Sequence, residues 1–144
     1  MAAITIRNVS GFRILAEDID DGETDKYYFR RPSWAKYCKI YLVMEALGGT
    51  SIQLSLTEVP PMDADDDHEL QLREAAAFAA LTSADVTSVV DIGPGVTGIA
   101  DDVTGGAAAD SYASINCILP DILGVKIISV GANNTYDLSV SFRA

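Results

Sequence analysis

A chain of 144 residues with 49% apolar side chains is the size of one domain and can bury a core without disulfide staples. Its formal net charge of -11 opposes contact with phosphate backbones, so nucleic acid is not an expected partner. Apolar runs are broken by Lys39, Glu45, Ser129 or glycine well short of the roughly 20 residues of a membrane span, and "MAAITIRNVSG" lacks a signal-peptide pattern. A soluble, non-secreted protein with no membrane partner is expected.

The chain opens with a mixed-charge arm over about 1–33. Residues 1–39 hold seven of the ten basic side chains against six acids, whereas from residue 40 onward there are fifteen acids and three bases. Such an arm suits docking on another protein. Within it, "AITI" and "GFRILAE" are weak strand candidates, "EDIDDGETDK" is a charged loop, and "YYFRRP" is a second strand-like piece.

Strict alternation then takes over, the period of a strand with one buried face. In "SWAKYCKIYLVMEALGG", Cys38, Ile40, Leu42, Met44 and Ala46 fall on one side. Gly48-Gly49 supplies a turn, and "TSIQLSLTE" resumes with Ile52, Leu54 and Leu56 inward, which predicts a hairpin.

A loop and helix insertion is expected over about 60–110. Its helix spans Asp66 to about Ser83, where Leu70, Ala77, Phe78 and Leu81 keep helical spacing and "AAAFAA" has high helix propensity. The stretch Asp63–Glu74 crowds four aspartates into five positions. Aligned from Asp63 it places oxygen ligands at positions 1, 3, 5 and 12 of an EF-hand loop, but His68 stands where the sharp turn needs glycine, and Pro60-Pro61 forbids the incoming helix. The preferred reading is a helix start, with Asp65 or Asp66 as cap and Glu69 in a capping box; an isolated calcium site is the alternative. Beyond it, "VTSVVDIG" reads as a strand and "PGVTGIADDVTGGAAAD" as an exposed, mobile excursion.

The carboxyl end repeats the alternation. Ile115, Cys117 and Leu119 share a face, "VKIISV" is a short strand, Gly131–Asn134 is turn chemistry, and Tyr136, Leu138, Val140 and Phe142 point one way. Three strands with short connections predict an antiparallel meander. The fold expected for residues 1–144 is a single, mainly β domain: an antiparallel β-sandwich, jelly-roll-like, with one short helical insertion.

No catalytic constellation, cofactor motif or metal set is visible, and no enzyme is expected. Cys38 and Cys117 read as free thiols in apolar patterns, pairing only if their Cα atoms come within about 7 Å. One histidine and two cysteines are too few for zinc. His68 reads as part of a solvated acidic turn, "GPGVTG" as a loop without the frame a phosphate site needs, and "DDGETD" (Asp20–Asp25) as a turn, with surface calcium the rarer reading. The aromatics Tyr27, Tyr28, Phe29, Trp34, Tyr37 and Tyr41 interleave with Arg30, Arg31, Lys36 and Lys39, which suits a protein interface or a sugar-binding platform, about half of them being core.

The blocks "WAKYCKIYLVMEALGGTSIQLSLTE" and "LPDILGVKIISVGANNTYDLSVSF", roughly residues 34–59 and 118–143, resemble small virion proteins of tailed bacteriophages. There, a strand and a glycine-rich turn precede an L-x-L strand, and a leucine-proline step introduces a final "V-K-I … G … Y-x-L-S-V" hairpin. The resemblance implies a capsid decoration, cement or other head-associated β-sandwich. It implies a homo-oligomer, with a trimer favoured, that binds the major capsid protein or neighbouring virion proteins and is assembled in the host cytoplasm. The alternative is a carbohydrate-binding module using Trp34 and exposed tyrosines.

Overall fold

The computed structural model describes residues 12–21, 25–60, 69–73, 82, 85–96, 111–131 and 133–144. Among these residues, alternating sequence becomes nine strands: β1 (Phe12–Asp21), β2 (Asp25–Arg30), β3 (Tyr37–Leu47), β4 (Ser51–Glu58), β5 (Leu70–Arg73), β6 (Val86–Gly93), β7 (Ser111–Asn116), β8 (Ile122–Val130) and β9 (Asn134–Arg143). The protein is mainly β, with no helix among the described residues. The strands form a five-stranded sheet in the order β1-β9-β3-β6-β7 and a four-stranded sheet in the order β2-β8-β4-β5.

Each alternating run buries the face expected of it. Cys38, Ile40, Leu42 and Met44 of β3, Tyr136, Leu138, Val140 and Phe142 of β9, and Ile52, Leu54 and Leu56 of β4 are all buried and join one cluster with Val125 and Ile127 of β8. Residues from both sheets therefore share one core, and burying each large apolar side chain contributes roughly 1.5–3 kcal/mol. Phe29 of β2 meets Phe142 of β9 edge-on, with ring centroids 5.7 Å apart, at one end of that core. The β3 alternation stops at Met44: a register irregularity follows it, and Ala46 is exposed rather than inward.

Three expectations about connection are corrected. The hairpin expected across Gly48-Gly49 does not form, because β3 pairs with β9 and β6 while β4 pairs with β8 and β5. Alternation reports which face of a strand is buried and not which neighbour bonds its edge, and a turn over the core leaves the same residues inward. The carboxyl-terminal meander fails for the same reason, since β7 and β9 lie in one sheet and β8 in the other. The antiparallel rule breaks at one pair: β6 and β7 run parallel, Ser88 opposite Ser111 through Gly93 opposite Asn116. Residues 94–110 join them, and parallel pairing requires such a crossover of about a dozen residues or more.

The helix expected from Asp66 is absent over Leu70–Arg73. There the chain is a strand bonded to the edge of β4, with Leu56, Thr57 and Glu58 opposite Arg73, Gln71 and Leu70. Edge pairing of backbone groups has overridden helical spacing that was weak over so short a span. The alanine run lies outside the described residues. The charged loop expected over residues 17–26 is also largely strand, because β1 continues to Asp21, paired with Asn134, and β2 begins at Asp25.

The two corners between sheets touch. A Cβ on Gly49 would stand 2.7 Å from the Gly131 carbonyl carbon and from the Val130 oxygen, so only glycine permits the contact. Gly131 (φ 85°) and Asn133 (φ 66°) adopt left-handed backbone that fits glycine and asparagine. Asn134, fully buried, clamps the corners. Its Oδ1 accepts from the Gly49 N–H at 2.9 Å, and its Nδ2 donates to Ser129 Oγ at 2.9 Å, Val130 O at 3.1 Å and Ser51 O at 3.2 Å.

Candidate functional site

At the end of the fold where Phe29 meets Phe142, three connections converge: residues 31–36 after β2, Pro94 after β6, and Ile118-Leu119 after β7. They line an open cleft of about 250 Å³ formed by Arg31, Ser33, Trp34, Ala35, Lys36, Pro94, Ile118 and Leu119. Ala35 and Leu119 are buried and extend the core to its floor. Trp34, 45% exposed, and Ile118, 86% exposed, stand at its mouth. Large apolar side chains left in water at a concave site are the usual signature of a contact surface.

The loops that present them are held in place. Arg31 organises the 31–36 turn: its Nη1 donates to the carbonyls of Pro32, Ser33 and Ala35 at 3.4, 3.3 and 3.2 Å, while Nη2 pairs with Asp121 at 2.8 Å. Backbone bonds reinforce it, from Arg31 N–H to Asp121 O, Ala35 N–H to Pro32 O and Lys36 N–H to Arg143 O. On the other wall, Cys117 N–H and Val96 N–H both donate to Gly93 O, and Gly95 N–H donates to Asn116 Oδ1 at 2.7 Å. The Tyr37 ring lies against Gly93, where a Cβ would sit 2.3 Å from Cδ1, and the Arg143 guanidinium covers that ring at 5.0 Å from its centroid. A pinned loop loses less entropy on binding than a free one.

The charge at this end contrasts with the chain as a whole. Lys36 and Arg143 are exposed, the side chain of Arg143 lies 3.8 Å from Asp91, and none of the described residues lining the cleft is acidic. Arg31 is already neutralised by Asp121 and Arg143 is paired with Asp91, which leaves Lys36 as the exposed cation lining the cleft.

Other polar clusters are structural. Tyr136, fully buried, donates to Asp25 Oδ2 at 2.9 Å and shares a 2.8 Å hydrogen bond with Tyr27, tying β2 of one sheet to β9 of the other. Burial, and then its hydrogen bonds with Tyr27 and Asp25, raise the Tyr136 phenol well above its ordinary pKa. On the outer side of the four-stranded sheet Glu69 pairs with Lys126 at 3.1 Å and accepts from the Tyr28 hydroxyl. Desolvation opposes its ionisation, but the bonds from Tyr28 and Lys126 prevail and hold its pKa below the ordinary value. This is a cross-sheet anchor, in place of the capping box expected of Glu69.

Cys38 and Cys117 are free, the first buried and the second half-buried. Desolvation, with Asp91 and Cys117 nearby, pushes the Cys38 thiol up to about 12, which is inert packing and not a nucleophile. Asp63–His68 and Glu74 lie outside the described residues, as does most of the 94–110 excursion. Of "GPGVTG", Gly93 ends β6 under Tyr37, and Gly95 makes a left-handed turn. Of the six aromatics, only Phe29 is fully core; Tyr28 is 42% exposed. Trp34 was visible in the sequence as a candidate, but Ile118 was not, because a single isoleucine beside a leucine-proline step reads as core.

Compared with family models, curated proteins and solved structures, the chain matches none. Among the described residues no helix is long and apolar enough to cross a membrane, and no group of three His, Cys, Asp or Glu side chains could hold a metal ion.

Proposed function

We propose that this is a non-enzymatic structural protein of a tailed-phage virion: a capsid decoration or cement protein whose two sheets form a β-sandwich of jelly-roll type. On this reading it oligomerises on the head and stabilises the shell through contact with the major capsid protein. The observation that carries the reading is the pairing of half-exposed Trp34 with fully presented Ile118 over a cleft whose walls are pinned by hydrogen bonds. That arrangement is suited to adhesion: loops held by hydrogen bonds present two large apolar side chains at the mouth of the cleft. Of the sequence blocks that resemble phage virion proteins, the first opens with Trp34 and the second begins at Leu119, next to Ile118. Many weak contacts on a repeating shell would add up through multivalency.

The test is co-sedimentation of the purified chain with heads assembled from the major capsid protein of its source, alongside its mass in solution. Saturable binding at a fixed ratio to the capsid subunit supports the proposal; a strict monomer that never sediments with heads overturns it.

The exposure of Trp34 also keeps a second reading, a carbohydrate-binding module, since a half-open indole can stack on a sugar ring. A glycan array decides it: binding to a defined glycan that is lost in Trp34→Ala, with folding unchanged, would replace the virion reading.

A further inference from the structure

We draw no further inference here: the strongest candidate, the apolar cleft between the 31–36 turn and Ile118-Leu119 with Trp34 and Ile118 at its mouth, belongs to the site already described, and nothing in the structure shows what covers it.

Discussion

The backbone N–H of Gly49 donates to the buried side chain of Asn134 at 2.9 Å, across 85 residues of sequence. Through that bond and three more from its amide nitrogen, Asn134 holds together the two corners at which the chain passes between sheets. Asn134→Ala should therefore destabilise the protein by about 2–4 kcal/mol, because it leaves a buried N–H and several carbonyls without partners. Gly49→Ala should cost at least about 2 kcal/mol by forcing apart the backbones at Gly131 and Val130. Gly95→Ala is the control: nothing lies within 4 Å of its Cβ, so only the left-handed backbone is strained, at about 1–2 kcal/mol. Urea unfolding of the three variants checks the order.

Acid should weaken the fold through Glu69. Its folded pKa lies below the ordinary 4.5 through Tyr28 and Lys126, so the stability it contributes is fully present above about that pH and is lost as pH falls through the folded value. Removing a partner, as in Tyr28→Phe or Lys126→Met, should raise the Glu69 pKa. The expected readout is an upward shift in the carboxyl carbon titration of Glu69 by NMR, and a higher pH midpoint of acid unfolding. An unchanged titration in both variants would refute the anchor.

Alkali should act through Cys38. The folded thiol holds its proton up to about 12, whereas the unfolded thiol loses it near 9.0, so between those values the unfolded state binds fewer protons and stability falls as pH rises. Cys38→Ala should flatten that part of the stability curve, at a constant cost from the lost packing. At pH 8 a thiol-labelling reagent should modify half-buried Cys117 well before buried Cys38, which mass spectrometry of labelled peptides resolves.

How much of this was legible in the sequence depends on what each signal encodes. Two-residue periodicity placed Ile40, Leu42, Ile52, Leu54, Leu138 and Val140 inward, because burial of one strand face writes itself directly into alternation. Strand neighbours were not legible, since Gly48-Gly49 serves equally as a hairpin turn and as a corner packed on Gly131. The helical spacing from Leu70 misled over the four residues of β5, where bonding to the β4 edge decides the backbone. Of the cleft, Trp34 stood out as a lone indole among cations. Ile118 and the support from Gly93, Asn116 and Asp121 came from distant connections that only the fold brings together.

Trp34→Ala and Ile118→Ser should separate adhesion from folding. Both side chains are substantially exposed, and neither belongs to the core cluster, so stability should change by no more than about 0.5 kcal/mol. Binding to heads should drop by at least about tenfold in each variant, as expected when an anchor contact is truncated. Thermal melting and co-sedimentation, run on the same preparations, check the two halves of the statement.

On the proposed function, the chain works as part of a particle. Quantitative mass spectrometry of density-purified virions from its source tests this most directly. The predicted result is the chain present at a fixed, reproducible ratio to the major capsid protein; particles of full infectivity that lack the chain would contradict it.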